Sequence, residues 1–165
     1  MIPLLLSAAM AGEVGVNTGI AYWQGSARLE MSPGFGLRAA FEPTRWVGVT
    51  AEAGTTFGIY PSTGAQVTVV QARASAVVEL LLAREPGVTP MMRLGLGPSG
   101  GFAWGQTKSE TAETATTLAG TVGMKFRGAL DAPLGPVVHL VPFAAITVHR
   151  LGTDVDLGLG IGWSL

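Results

Sequence analysis

The chain is 165 residues long, a length for one domain, with 48% hydrophobic and only 13% charged residues and a mean hydropathy of +0.43. A formal net charge of −1 offers nothing for nucleic acid or an anionic surface to recognise. The absence of cysteine excludes disulfides and thiolate metal sites without fixing a compartment. No stretch reads as a transmembrane helix. The best candidate, the uncharged run Ala132 to His149, contains Pro133, Pro136 and Pro142, and 24 glycines are spread along the chain.

The amino terminus reads as an export signal covering residues 1–11, with a buried first turn as the alternative. Ile2 to Met10 is a short apolar run, and Ala9-Met10-Ala11 has the small-residue pattern of a cleavage site before Gly12-Glu13. It lacks a basic start and its apolar core is short, as in a truncated signal. A single barrel domain is expected over 12–165.

From Gly12 onward the sequence alternates with period two, the signature of strands with two different faces. The first segment, Glu13 to Trp23, sets Val14, Val16, Thr18, Ile20 and Tyr22 against Glu13, Gly15, Asn17, Gly19 and Ala21. After a polar break at Gln24 to Pro33, the second sets Phe35, Leu37, Ala39 and Phe41 against Gly36, Arg38, Ala40 and Glu42. A tight turn, Glu42-Pro43-Thr44-Arg45, leads to the third, with Val47, Val49, Ala51, Ala53 and Phe57 opposite Gly48, Thr50, Glu52, Gly54 and Thr56. The break Gly58 to Ala65 has strong turn chemistry in Tyr60-Pro61-Ser62-Thr63-Gly64.

The fourth segment sets Val70, Ala72, Ala74, Ala76, Val78, Leu80 and Leu82 against Gln71, Arg73, Ser75, Val77 and Glu79, and closes at Arg84 to Gly87. The fifth aligns Met92, Leu94 and Leu96 opposite Arg93, Gly95 and Gly97 and continues to Phe102 and Trp104. Gln106 to Thr117 is the longest polar stretch, expected to be an exposed loop. The sixth sets Leu118, Val122, Met124, Phe126 and Leu130 against Thr121, Gly123, Lys125, Arg127 and Asp131. In the seventh, Val137 to His149, the phase with Val138, Leu140, Pro142, Ala144, Ile146 and Val148 outward leaves His139, Thr147 and His149 on the other face. A break at Leu151 to Asp154 precedes the last strand. Asp156 to Leu165 alternates strictly between large apolar residues and Gly, Ser or Asp.

The charges decide which face meets what. Ten of the 21 fall in breaks: Arg28, Glu30, Arg45, Arg84, Glu85, Lys108, Glu110, Glu113, Arg150 and Asp154. The other eleven all lie on the glycine-bearing face: Glu13, Arg38, Glu42, Glu52, Arg73, Glu79, Arg93, Lys125, Arg127, Asp131 and Asp156. A soluble barrel also segregates its faces, but its charged face looks to water and has no need of glycine. A closed eight-stranded barrel has an interior that its own side chains fill. There, long charged groups must alternate with glycine and pair with one another. The fold class that follows is all-β: an eight-stranded antiparallel up-and-down transmembrane barrel with a charged lumen and an apolar exterior.

Aromatic residues support two belts, with Trp23, Phe35, Phe57, Tyr60, Phe102 and Trp104 beside the longer breaks and Phe41, Trp46, Phe126 and Trp163 toward the short turns. At this point the sequence resembles the small eight-stranded outer-membrane barrels, such as the transmembrane domain of outer membrane protein A and its compact relatives. Those families typically end in alternating apolar residues and a terminal aromatic. Ile161, Trp163 and Leu165 match the alternation, but the last residue is Leu. The resemblance implies a monomer in the outer membrane of a Gram-negative-type envelope. Its contacts would be membrane lipid and the outer-membrane assembly machinery, the latter through the last strand.

Chemistry is sparse. No cofactor, metal or catalytic residue is expected, since two histidines lack ligand spacing. Gly95-x-Gly97 and Gly158-x-Gly160-x-Gly162 continue a strand rather than open a helix. The barrel-type lipid A deacylases resemble a His-x-Ser pair on one strand face. Here His139 is followed by Leu140-Val141 and His149 by Arg150-Leu151, although Thr153 and Asp154 lie close to His149. Arg38, Glu52, Arg73, Glu79, Arg93, Lys125, Arg127, Asp131 and Asp156 are expected to form a structural charge network rather than an ion path. The leading functional reading is therefore a structural or interaction protein with a plugged polar lumen and short loops. The alternatives are a soluble exported calycin-like barrel around a small apolar ligand and a lipid A-modifying enzyme.

Overall fold

A computed structural model describes residues 11–24, 29–62, 65–82, 90–109, 115–150 and 152–165. Residues 1–10 of the expected export signal lie outside these residues, as do the turn at Arg84 to Gly87 and Arg28, whereas Ala11, its expected last residue, opens the first strand. Eight strands run in chain order: β1 (Ala11–Gln24), β2 (Leu29–Glu42), β3 (Val47–Ser62), β4 (Ala65–Leu82), β5 (Met91–Ser109), β6 (Ala115–Pro133), β7 (Val138–His149) and β8 (Gly152–Ser164). Each is antiparallel to its sequence neighbour, and β8 pairs with β1 to close a barrel. The short turns are set locally. Thr44 Oγ1 accepts from the amides of Trp46 and Val47 at 3.3 and 3.0 Å. Leu134 N donates to Val138 O at 2.8 Å across Pro133 to Pro136. Gly152 opens β8 at φ 153°, a conformation side chains resist.

The register fixes the barrel's shape. Stepping from partner to partner, Gly12 leads to Phe41, Val49, Val78, Leu96, Phe126, Ile146 and Val155, and then back to β1 at Tyr22 rather than Gly12. One circuit therefore climbs ten residues. With strand spacings of about 4.8 Å and a rise of about 3.3 Å per residue, that stagger corresponds to a tilt of about 40°.

The faces fall as the charge census requires. Phe35 is 69% exposed, Leu37 66% and Leu96 45%, all on the outside, whereas Arg93 inside is 2% exposed. In β7, Ala144, Ile146 and Val148 point out and Val141, Ala145 and Thr147 are buried, so the even-outward phase holds. Val49, Ala74 and Leu159 are exposed, whereas a soluble ligand-binding barrel needs them inside.

Several segment boundaries differ from expectation. β2 begins at Leu29, within the break Gln24 to Pro33, and Ser32 pairs with Ala21. β3 runs to Ser62 and meets Ala65 directly. Most of the polar stretch Gln106 to Thr117 is ladder, with Gln106 opposite Thr116 and Thr107 opposite Ala115. Threonine, glycine and glutamine there read as loop chemistry, but a paired backbone tolerates them at the end of a hairpin. β4, β5 and β6 are 18, 19 and 19 residues long, against 12 for β7 and 13 for β8.

Heights follow from the tilt at about 2.5 Å per residue and about 3 Å per step around the wall. Counted from Gly12, His149 stands at about 26 Å, Ser62 at about 39 Å and Ala115 at about 43 Å. Trp163 and Phe41 lie at about 2–3 Å and Phe57 and Phe102 at about 26–28 Å, the width of a lipid-facing band. Phe126 belongs to neither belt, because the climb of the register puts it near mid-height, at about 16 Å. Phe35 likewise sits at about 18 Å, below the upper belt. The side chains of Trp23 and Tyr60 lie outside the description.

Candidate functional site

Among the described residues the lumen is where chemistry is concentrated, and alternation brings it there from every strand. Arg93 on β5 is its most connected group. Nη2 lies 2.6 Å from Glu42, 2.7 Å from Asp131 and 3.7 Å from Glu13, and Nη1 is 3.3 Å from Glu79. Arg38 pairs with Glu13 across β1 and β2. Arg127 reaches Glu79 at 2.6 Å and Glu52 at 2.9 Å, the second contact poorly aligned for a hydrogen bond. Lys125 Nζ meets Glu52 at 2.5 Å, and Thr50 donates to Glu79 at 2.8 Å. These contacts form one continuous chain, Arg38–Glu13–Arg93–Glu79–Arg127–Glu52–Lys125, that crosses the lumen. Such pairs yield little net stability over an apolar core, but losing one partner is costly.

A second group lies nearer the long-strand end. Arg73 pairs with Asp154 at 2.6 Å and with Asp156 at 3.7 Å, and His149 Nε2 is 3.1 Å from Asp154. A cavity of about 100 Å³ separates the two groups, lined by Asn17, Glu52, Arg73, Lys125 and Asp156 among others. It has room for a few waters.

The structure thus brings all nine expected network residues into the lumen and joins them in two groups. Asp154 is a correction. It was expected in a break, yet it is 2% exposed inside β8. Its even number, the same parity as Asp156, was the available signal. Among the described residues the lumen therefore holds five basic residues and seven acidic ones, counting Glu13, Glu42 and Asp154. Sequence reasoning placed Val77 on the inner face but passed over the apolar inward residues Leu81 and Val141; all three are buried. Phe143, another inward residue, carries the Arg127 guanidinium 5.5 Å from its ring centre.

Room for these groups comes from the opposite wall, where Gly15 faces Gly162, Gly19 faces Gly158 and Gly36 faces Gly54. A Cβ on Gly158 would come within 2.6 Å of the Phe143 ring, and one on Gly162 would run into the Glu13 carboxylate.

The two histidines occupy opposite ends. His139 lies between Asp131 Oδ1 and Ser164 Oγ, each at 2.7 Å. That is the order of a Ser-His-Asp triad, but acyl transfer also needs main-chain donors for the oxyanion. The amides beside the hydroxyl are taken: Ser164 N donates to Val137 O and Leu165 N to Gly12 O, both at 2.9 Å. The arrangement ties β6, β7 and β8 together at the rim. Among the described residues, no group of three His, Asp or Glu is placed to hold a metal ion.

No protein-family model and no curated protein matches the sequence. Solved structures do match in fold. The attachment invasion locus protein Ail of Yersinia pestis, solved with the heparin analogue sucrose octasulfate, superposes with a TM-score of 0.70 at 11% identity. The match covers 94% of this chain and 99% of Ail. A major outer membrane protein of Thermus thermophilus gives 0.68 at 12% identity, over 93% and 99%. Neisserial surface protein A gives 0.64 at 11%, over 95% and 100%. This chain has the fold of the small eight-stranded outer-membrane barrels.

Proposed function

We propose that the chain is an outer-membrane barrel with a structural or interaction role, its lumen a sealed polar core rather than a passage or an active site. The observation behind this reading is the inversion of faces, with the charges inside, mutually paired, and the lipid-height exterior apolar. A charge on that exterior near the midplane costs about 2–4 kcal/mol for Arg or Lys. The exterior carries none between the two aromatic belts among the described residues. The ion-pair chain from Arg38 to Lys125, with Leu81, Val77 and Val141 buried beside it, supports a lumen closed to solutes through its lower half. The alternating Ile161, Trp163 and Leu165 at the end of β8 fit recognition by the outer-membrane assembly machinery, and the barrel works as a monomer in lipid.

The test is twofold. Purified protein on an SDS gel should migrate as a compact band without boiling and as a slower one after boiling. In planar lipid bilayers it should give no steady conductance. Recovery in detergent-free aqueous extracts would end the membrane reading, and stable channels would end the sealed-lumen part of it.

A further inference from the structure

The rim contact of His139 carries a chemistry that the sealed lumen does not use. Asp131 is buried, and its Oδ2 accepts from Arg93 Nε at 3.2 Å and Nη2 at 2.7 Å. Held there by the arginine, it is a carboxylate, which only accepts hydrogen bonds. Its Oδ1 lies 2.7 Å from His139 Nδ1, so that nitrogen donates. In a neutral imidazole the proton is then on Nδ1, and the lone pair of Nε2 faces Ser164 Oγ at 2.7 Å. The hydroxyl donates to a nitrogen that can take its proton.

Three strands place these groups, with Asp131 on β6, His139 on β7 and Ser164 on β8. His139 stands opposite Gly162 in the register, and Ser164 is the next inward residue of β8. By height the three lie within about 4 Å of Gly12, level with the lower belt. Ser164 is exposed and the His139 side chain is 22% exposed, so a small molecule can reach both from the short-turn mouth. The amides of Ser164 and Leu165 are engaged with Val137 and Gly12. A missing oxyanion donor costs about 10²–10³ in rate. An acyl group with a good leaving group reacts without such donors, and the ester it leaves on the hydroxyl resists hydrolysis because they are absent.

We propose that Ser164 is a covalent modification site, acylated once by an activated ester that enters the short-turn mouth of the barrel. Ser164 Oγ bonds to the carbonyl carbon, and the bond from that carbon to the leaving oxygen breaks. The hydroxyl proton passes to His139 Nε2 and on to the leaving group. Asp131 is a positioning residue: it fixes the ring and offsets the charge of the imidazolium as it forms. The esters of membrane lipids, whose leaving groups are alkoxides, are poor donors here. The modification goes beyond the structural role proposed above and adds no turnover to it.

The experiment uses the full chain in lipid nanodiscs, which leave both mouths open, and p-nitrophenyl acetate as the probe. Nitrophenolate release should show a burst of about one equivalent per chain and then stop. Peptide mass spectrometry should find the acetyl group on Ser164, and Ser164→Ala should abolish the burst. His139→Gln keeps a polar side chain between Asp131 and Ser164 but takes no proton. It should slow acetylation of Ser164 by about 10²–10⁴-fold with the compact unboiled gel band intact. A second comparison needs no variant: Ser164 of the folded barrel should acetylate faster than Ser164 of the urea-unfolded chain by a similar factor. Equal rates in the folded and unfolded chains, or acetylation unchanged by His139→Gln, overturn the inference. Steady release after the burst overturns it too, because the ester would then be turning over. Each of these results leaves the compact gel band, and hence the barrel reading, untouched.

Discussion

Replacing Arg93 by methionine keeps the aliphatic stem but deletes the guanidinium that four carboxylates share. Glu42, Asp131, Glu79 and Glu13 lie within 2.6 to 3.7 Å of it. Arg93 and Glu79 are almost fully buried, so solvent cannot replace the lost charge. Removing one member of a buried pair costs about 3–5 kcal/mol, mainly because the remaining charge is left uncompensated. The barrel, refolded into phospholipid vesicles, can be titrated with urea and scored by the unboiled gel band. At a slope of about 2 kcal/mol/M the midpoint should fall by about 2 M. Adding Asp131→Asn to Arg93→Met should recover part of the loss, because one fewer buried carboxylate then lacks its arginine. A cost below about 1 kcal/mol, the value of an exposed pair, would refute the reasoning.

Leu96→Arg, at mid-height on the exterior, should cost about 2–4 kcal/mol in bilayers, whereas Met92→Arg near the lower belt should cost about 0–1. Equal costs would contradict the placement of the lipid band. Gly158→Val should lower the folded fraction and cost at least about 1–3 kcal/mol, because its side chain meets both the Thr18 carbonyl oxygen and the Phe143 ring. Phe143→Ala in the same chain should restore part of the folded band. Trp163→Ala should leave refolding in detergent unchanged but slow insertion into outer membranes in cells, read by pulse-chase and heat-modifiable mobility. An equal defect in both assays would assign Trp163 to stability alone.

The fold was largely legible because each face has its own alphabet. Val, Leu, Ile and Phe recur on one parity, with Gly and charge on the other, and a one-residue slip would have put charges in lipid. Strand ends were less legible. Residues 106–109, 116 and 117 are polar, and above the membrane the face rule stops applying, so pairing there depends on hairpin geometry rather than side-chain preference. Asp154 was missed for the same reason: beside Gly152 and Thr153 it resembles a turn residue, and only Arg73, distant in sequence, explains its burial. Partner choice within the lumen was not legible at all. That Arg93 rather than Arg127 gathers most of the acids depends on the ten-residue climb of the register, which no single segment encodes.

The paired glycines where β1 meets β8 bear on the order of assembly. At Gly15 and Gly162, and again at Gly19 and Gly158, the inner surface of this seam is bare backbone. Few side chains of the seam itself must pass one another as the cylinder closes, so Arg93 and Arg127 can find Glu42, Glu52, Glu79 and Asp131 on β2, β3, β4 and β6 while the two chain ends are still apart. The last event in folding is then the zipping of a smooth joint. A disulfide latch at Thr18→Cys and Leu159→Cys, an outward pair on this seam, should form later during refolding than one at Val78→Cys and Leu96→Cys between β4 and β5. If the seam latch forms first, the ends lead and the lumen follows.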